Sequence, residues 1–239
     1  MLEITLAEKT DLDSLKEVAI NMSCVHPQTS PYYPNAVYHP LTDLSIVTLK
    51  NKDGTLRYGD ICKKEKDFDI WLNQKIREIE NCRNAKDVFE IFCKQYRIPL
   101  LIDSAIYLSE DDYSRILAEA WVMTEYSNMS AQDIVSMFSV SSPSALMTSQ
   151  EYEYFQQLGN ELTIYRGVTN QNSVDAPSWS LSYETANWFA HRFGHGAQVY
   201  MAHIKKEHVY AYFSSRDESE VIVDSDYLYD ISKVRSVEG

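Results

Sequence analysis

Two glutamates near the end of the chain, Glu218 and Glu220, are separated by one serine at the start of the apolar run ESEVIVD. If this run is a β-strand, its side chains alternate between two faces, so both glutamates lie opposite Val221 and Val223. A rise of about 3.3 Å per residue then places the two glutamate Cα atoms about 7 Å apart. Paired acids at this spacing are typical of a site that holds a ligand or a proton. They also fit an acidic strand edge that discourages pairing with other strands.

An arginine, Arg166, ends the apolar run ELTIYRGV and is followed directly by Gly167. In a strand, Leu162, Ile164 and Arg166 share one face, so the guanidinium extends an apolar face towards a cleft or a strand end. A guanidinium pairs with two phosphate oxygens at once and does not lose its charge. Arg166 is therefore a candidate phosphate ligand, although on its own it also fits a surface arginine at a strand end.

Small hydroxyl side chains alternate with larger ones in PSWSLS, where Ser178 and Ser180 share one face of a predicted strand and Trp179 faces the other way. Serines on such a face can hold a neighbouring group or a ligand without filling a cleft. A helix, YETANWFAHRF, is predicted directly afterwards, with Ala186 and Ala190 placed to pack on the sheet. Taken alone, the serines also fit an exposed polar face.

Elements that are largely helical precede these three segments. Apolar spacing predicts helices in DFDIWLNQKIREIENC, in AKDVFEIFCKQY, which Pro99 is expected to end, and in SEDDYSRILAEAWVMTEYSN, with Ser109 as its N-cap. Two further helices are predicted in SAQDIVSMF and SQEYEYFQQLG. The segment LSIVTLKNKDGTLRYGD is typical of a β-hairpin, with Asp53 and Gly54 in its turn.

After residue 159 the pattern changes to short strands, in ELTIYRG, SWSLS, AQVYMAHI, HVYAYF, ESEVIVD and SKVRSV. We therefore predict a mixed α+β fold in two domains. Residues 1–100 form an N-terminal α+β region of unknown role, and residues 101–239 form the second domain. Within that domain, helices over 101–159 lead into a β-rich core over 160–239.

The order of the three polar signals is more specific than any one of them. An arginine on a strand (IYRG), then S-x-S on a strand before a helix (SWS…ANWFA), then E-x-E opening a strand (ESEVIV) resembles the mono-ADP-ribosyltransferases of the Arg–Ser–Glu group, known from bacterial toxins and from phage and bacterial effector proteins. The resemblance covers about residues 160–239, and the helices of about 109–158 are similar to the family's helical lead-in. It implies a core of two small, roughly perpendicular antiparallel sheets with an NAD+ cleft between them.

The resemblance assigns the binding of NAD+ to five positions, of which Phe213 is the aromatic one. Arg166, with Gly167 beside it, would hold the phosphate and ribose of NAD+. Ser178 would be the first serine of the family's S-T-S motif, and would position the nicotinamide side and the catalytic glutamate. Ser180 would be the second serine of that motif.

The resemblance also assigns the catalytic and acceptor-binding positions. Glu220 would be the catalytic glutamate, hydrogen-bonded to the 2′-hydroxyl of the nicotinamide ribose, and Glu218 would be the acid that engages the acceptor. In families with E-x-E the acceptor is often arginine, so a protein side chain is the expected partner. The turn from Phe213 to Asp217 would recognise that acceptor, with Phe213 or Tyr212 as the aromatic contact of the site.

Two features depart from the family pattern. Trp179 stands where the family has threonine, which is tolerable if this side chain faces inward. Only eleven residues separate Arg166 from Ser178, so any nicotinamide-binding elements that large toxins place in this interval must be shorter or come from elsewhere. The implied activity is NAD+-dependent ADP-ribosyl transfer. Two alternatives stay open, namely NAD+ hydrolysis with water as acceptor and a non-catalytic binding module on the same fold.

The composition narrows the set of partners. The chain has 239 residues and a net charge of −13, so we expect no extended nucleic-acid surface, because such surfaces are basic. No apolar run approaches the roughly 18 residues needed to span a bilayer. The start, MLEITLAEKTDLDSLKE, lacks the basic and apolar segments of a signal peptide. We expect no membrane partner and a location in the cytoplasm, or in a host cytosol reached by a route that the sequence does not show.

The sequence predicts NAD+ as co-substrate and no metal. His191 and His195 are four residues apart in FAHRFGHG, but Gly194 is predicted to end the helix before His195, and no H-E-x-x-H motif is present. The acids near the C-terminus lack the D-x-D-x-D-G spacing of a calcium loop. The cysteines have no C-x-x-C spacing and are predicted to be reduced thiols. They are Cys24, Cys62, Cys82 and Cys93.

Overall fold

The computed structural model describes residues 2–123, 129–168, 173–192 and 198–234. Within these ranges the fold is mixed α+β, with nine α-helices and several antiparallel sheets, which confirms the predicted fold class. By contacts the chain divides into two compact units, Thr5–Glu125 and Tyr126–Gly239 with Met1–Ile4. The predicted boundary between residues 100 and 101 lies inside a helix, so the compact units and the predicted domains divide the chain at different places.

The first unit combines five α-helices with two small antiparallel sheets. The helices are α1 (Leu12–Ser23), α2 (Glu65–Glu80), α3 (Ala85–Ile91), α4 (Lys94–Ser104) and α5 (Glu110–Met123). One sheet contains β1 (Gln28–Thr29), β2 (Ala36–His39) and β3 (Thr42–Leu44), and the other contains β4 (Ile46–Lys50) and β5 (Leu56–Asp60). Among the residues that the structure describes, no helix is long and apolar enough to cross a membrane.

Two local predictions for the first unit are confirmed. The β4–β5 hairpin forms in the predicted place, and Gly54 in its turn has a φ of +87°, a conformation that side-chain-bearing residues rarely adopt. Helix α5 follows Ser109, whose hydroxyl oxygen accepts a hydrogen bond from the Asp112 N–H at 3.3 Å. The turn glycine and the capping serine each act through their own backbone neighbourhood, which explains why sequence alone locates them.

The prediction that Pro99 ends a helix is wrong. The helix break lies at the extended residue Phe92, and α4 continues through Pro99 to Ser104. Proline removes one backbone donor and clashes with the preceding turn. Here its neighbours Ile98, Leu100 and Leu101 are at most 1% exposed. Their burial outweighs the cost of the proline, because packing contributes more to a helix in a protein than local propensity does.

The second unit places four helices against one antiparallel sheet. The helices are α6 (Ala131–Ser139), α7 (Pro143–Leu146), α8 (Ser149–Gln157) and α9 (Tyr183–His191). The strands are β6 (Glu161–Val168), β7 (Ser178–Ser180), β8 (Gln198–Lys205), β9 (Val209–Phe213), β10 (Glu220–Val223) and β11 (Tyr229–Lys233). The last strand begins three residues before the predicted SKVRSV, whose final residues lie outside the described ranges.

The six strands form one sheet in the order β11-β8-β6-β7-β10-β9, not the two sheets that we expected. The two halves differ in how tightly they are joined. Strands β6 and β8 pair over eight residues, whereas β6 and β7 meet at the single pair Tyr165–Ser180. A one-pair junction leaves few ladder hydrogen bonds between the halves, so the sheet has its weakest connection between β6 and β7. The candidate site residues lie at this junction.

Candidate active site

Ser178 and Glu220 meet across two neighbouring antiparallel strands. In the β7–β10 register Glu220 is opposite Ser180, and Ser178 is opposite Ile222. Ser178 and Glu220 are therefore diagonal neighbours on one face, a spacing that side chains can bridge. The Ser178 hydroxyl donates a hydrogen bond to Glu220 Oε1 at 2.6 Å. The carboxylate is thereby held in one orientation, because a hydrogen bond to a charged acceptor is short and strong.

Arg166 approaches the same pair from the neighbouring strand β6. Its Nε donates to the Ser173 carbonyl at 2.9 Å, and Nη1 donates to the carbonyl of Ser178. Burial lowers the pKa of Arg166 to about 10, while the negative charge of Glu220 raises it. A pKa of about 10 leaves the guanidinium charged at neutral pH. The junction thus brings a fixed cation, a hydroxyl and a carboxylate together from three strands.

Ser180 holds the backbone of the other glutamate. Its hydroxyl donates to the Glu218 carbonyl oxygen at 2.7 Å, and the Leu181 N–H donates to the Ser219 carbonyl at 2.9 Å. Ser180 is 7% exposed. It therefore does not lie on an exposed polar face, which was the alternative interpretation of the serine pattern. Its described bonds support the loop that carries Glu218.

Glu218 is not part of the strand that the E-x-E pattern predicted. Strand β10 begins at Glu220, and Glu218 is the C-cap of a short 3-10 helix, Ser215–Asp217, with helical backbone angles. Between them Ser219 has a φ of 46°, in the left-handed region. The alternation rule requires extended backbone at every residue, so it does not place Glu218 and Glu220 on a common strand face here.

The segment from Ser214 to Ser219, named here the acceptor loop after the role that the resemblance predicts for this turn, stores backbone strain. Asp217 and Ser219 have φ values of 56° and 46° and neither is glycine. Left-handed backbone costs a residue with a Cβ about 1–2 kcal/mol. Such strain persists only where surrounding contacts offset it, and it is concentrated at functional sites.

Gly167, which the resemblance placed near NAD+, lies against helix α9. A Cβ atom at this position would be 2.4 Å from the Ala186 carbonyl oxygen and 2.6 Å from the Ala190 nitrogen. Both neighbours are backbone atoms that cannot rotate away. The described contacts of Gly167 therefore give it a packing role, in which it allows α9 to lie directly on β6 next to Arg166.

The aromatic residues of the predicted recognition turn are buried. Phe213 is 3% exposed and packs edge-on against Phe138, with ring centroids 6.4 Å apart. Tyr212 is 8% exposed and contacts Tyr154, whose ring centroid is 4.6 Å away. The ring of Tyr154 itself is 47% exposed. Phe213 thus forms part of the core of this unit.

Trp179, which stands where the S-T-S pattern has threonine, faces inward. This is the orientation in which the larger side chain is tolerable. It is 2% exposed, and its indole N–H donates to the Ala176 carbonyl at 2.9 Å. His191 Nδ1 donates a hydrogen bond to the Asn187 carbonyl oxygen at 2.8 Å, while His195 lies outside the described residues. Within the described parts of the chain, no three His, Cys, Asp or Glu side chains cluster as a metal site would require.

Sequence reasoning missed Glu151, a buried acid on α8 that contacts the acceptor loop. Its carboxylate accepts hydrogen bonds from the N–H and the hydroxyl of Ser214, at 2.7 and 3.0 Å. The pattern Thr148-x-x-Glu151 before an amphipathic helix is a capping-box signature and would have located the helix start. Nothing in the local pattern indicates the contact with Ser214, 63 residues further along the chain.

The arrangement suits a ligand that carries both an anionic group and a centre that becomes positive. Arg166 supplies a fixed positive charge, and Glu220 supplies a negative one whose orientation Ser178 controls. Preorganised charges of this kind stabilise charge that develops during a reaction. The chain matches no protein-family model, no curated protein and no solved structure, so the argument for function rests on the residues themselves.

Proposed function

We propose that the second unit is an NAD+-dependent mono-ADP-ribosyltransferase that transfers ADP-ribose to a protein side chain, with arginine as the favoured acceptor. The observation that carries the proposal is the 2.6 Å hydrogen bond from Ser178 to Glu220, with Arg166 bonded to the Ser178 carbonyl. These are three of the positions to which the resemblance assigns NAD+ binding and catalysis. Their contact across separate strands supports one site.

The residues fit NAD+ as a substrate on charge and donor number. Its diphosphate is anionic, and the chain as a whole is acidic at −13, so binding requires a local cation. Arg166 is that cation at neutral pH, because its pKa is about 10. A guanidinium has five N–H donors in a planar fork, and the bonds to the Ser173 and Ser178 carbonyls use two of them.

The proposed reaction exchanges one bond at the anomeric carbon of the nicotinamide ribose. The bond from C1′ to the nicotinamide nitrogen breaks, and its electron pair leaves with nicotinamide. Positive charge develops on the ribose, as in glycoside hydrolysis, and the Glu220 carboxylate stabilises it electrostatically. The acceptor nitrogen forms the new bond to C1′ and passes its proton to Glu218, which acts as general base.

Incubation of the protein with radiolabelled NAD+ in a cell lysate tests this function directly. We expect label on one or a few protein bands, and mass spectrometry of a labelled band to locate ADP-ribose on an arginine. Free ADP-ribose without labelled protein would instead support NAD+ hydrolysis. If neither product forms, the result would support a non-catalytic binding module and would overturn the proposal.

Ser178→Ala should slow the cleavage of NAD+ by about 10- to 100-fold, because a hydrogen bond to a charged group contributes about 1.5–3 kcal/mol. The measurement is the rate of nicotinamide release at saturating NAD+. Ser144→Ala is a matched control, because Ser144 is exposed on α7 and contacts only Ser142 among the described hydrogen bonds. Equal rates for wild type and Ser178→Ala would remove Ser178 from the site.

A further inference from the structure

A buried acid from α8 fixes the first residue of the acceptor loop. Glu151 Oε1 accepts two hydrogen bonds from Ser214, through its backbone N–H and its hydroxyl. The other carboxylate oxygen, Oε2, accepts from the Thr148 N–H at 3.0 Å and from the Thr148 hydroxyl at 2.8 Å. Glu151 is 7% exposed. Both oxygens are thus satisfied by the protein itself.

Glu151 remains charged although it is buried. Burial on its own would raise the pKa of this carboxyl, but the hydrogen bonds from Ser214 and Thr148 together hold the pKa below the usual value of a glutamate. Its place in the first turn of α8 also favours a negative charge, because the helix dipole is positive at that end. Such a carboxylate is a rigid anchor, since moving it would leave buried donors without an acceptor.

Helix capping alone does not account for these contacts. The capping box between Thr148 and Glu151 needs only one carboxylate oxygen, which accepts from the Thr148 N–H, and the Thr148 hydroxyl oxygen, which accepts from the Glu151 N–H. The second oxygen serves Ser214, which is distant in sequence and begins the strained loop. A side chain that joins a helix start to a strained loop positions the residues of that loop.

The same helix also packs on the strand that leads into the acceptor loop. Tyr154 lies one turn beyond Glu151 on α8, and its ring packs on that of Tyr212 in β9. Strand β9 ends at Phe213, directly before Ser214. Helix α8 therefore holds the start of the loop through Glu151 and also supports the strand before it through Tyr154.

We propose that Glu151 is a positioning residue that sets the place of Glu218 relative to Glu220 and thereby directs ADP-ribose to the acceptor. This inference rests on the proposed function. Glu220 lies in a paired strand and is held by Ser178, so NAD+ cleavage does not need Glu151. Glu218 lies in the loop. The Ser180 hydroxyl donates to the Glu218 carbonyl oxygen, and Glu151 holds Ser214 at the start of the loop. Loss of the Glu151 carboxylate releases Ser214 but leaves the bond from Ser180 in place.

Glu151→Gln tests the inference, because glutamine has the size of glutamate but replaces one acceptor oxygen with an NH2 group. That group cannot accept the hydrogen bonds that the carboxylate oxygen accepted. We expect the ratio of protein transfer to NAD+ hydrolysis to fall about 10-fold, the scale of one charge-assisted hydrogen bond, with total NAD+ cleavage little changed. Thr148→Ala is the matched control. It weakens the same helix cap and leaves Ser214 untouched, so the ratio should not change. If both variants lower transfer and hydrolysis in equal proportion, Glu151 is only a helix cap and the inference is overturned.

Hydrogen exchange of the loop amides separates this inference from the proposed function. In Glu151→Gln the amides of Ser214 and Asp217 should exchange about 10-fold faster, as expected for local opening, while those of β6 and β8 keep their protection. Thr148→Ala should leave the loop amides unchanged. Faster loop exchange in a protein that does not cleave NAD+ would overturn the proposed function but support the anchoring by Glu151. Unchanged exchange would overturn the anchoring even if the protein is active.

Discussion

Glu220→Gln is expected to lower NAD+ cleavage by at least about 10²- to 10³-fold, the scale reported for loss of one preorganised electrostatic group. Glutamine has the same shape and still accepts the hydrogen bond from Ser178, so the geometry of the β7–β10 pair is preserved. Only the negative charge that the proposed reaction places beside the ribose is lost. Nicotinamide release, measured with saturating NAD+, reports the effect. Full turnover in this variant would refute the assignment of Glu220 as the catalytic glutamate.

Glu218→Gln is the comparison variant, because it should separate transfer to protein from the cleavage of NAD+. It removes the same charge two residues away, from the loop and not from the strand. We expect NAD+ hydrolysis to persist and protein labelling to be lost, because in the proposed reaction Glu218 takes the proton of the acceptor. Glu207→Gln is the neutral control, since Glu207 lies on a short 3-10 helix with a side chain that is 66% exposed. Thermal unfolding by circular dichroism establishes that each variant is folded.

Local patterns were enough to predict much of the β-rich core. Strand alternation located β6, β8 and β9 to within one or two residues, and it placed Trp179 on the face opposite Ser178 and Ser180. Ser178 and Glu220 were selected separately, each on its own segment. Their hydrogen bond depends on the β7–β10 register, which a single sequence does not contain. The assignment of both residues to one site came from the family resemblance and not from the strand pattern.

The failures share a physical cause, which is that long-range contacts override local preference. Pro99 stays inside α4 because its neighbours are buried in the core of the first unit. Ser219 adopts a left-handed backbone while its carbonyl oxygen accepts from the distant Leu181 N–H, and this backbone takes Glu218 out of the strand. Such contacts join residues far apart in sequence, so period and propensity do not reveal them.

The surroundings of Arg166 favour the binding of the proposed anionic ligand, although the protein as a whole is acidic. Arg166 is partly buried, and burial lowers its pKa while Glu220 raises it. A charge in such surroundings interacts more strongly with a bound anion than a charge in water does. Arg166 is tied to the carbonyls of Ser173 and Ser178, so little side-chain entropy is lost on binding. A lysine would supply charge without this two-point fixation.

Gly167→Ala is expected to destabilise the second unit by about 3 kcal/mol, at the upper end of the range for over-packing. The added methyl would meet the Ala186 oxygen at 2.4 Å and the Ala190 nitrogen at 2.6 Å. These are backbone atoms of α9, so either the helix or β6 must shift as a body. Urea unfolding, compared at the transition midpoint, measures the loss.

Gly159→Ala separates this clash from the general effect of removing a glycine. Its Cβ would have only an ordinary contact, 3.5 Å from the Glu161 oxygen. At such a position the substitution is neutral or stabilises by about 0.4–1 kcal/mol through the unfolded state. Because Gly167 adjoins Arg166, a shift of β6 in Gly167→Ala should also weaken NAD+ binding, whereas Gly159→Ala should not. If Gly167→Ala were as stable as wild type, close packing of α9 on β6 would not be what fixes Arg166 in the sheet.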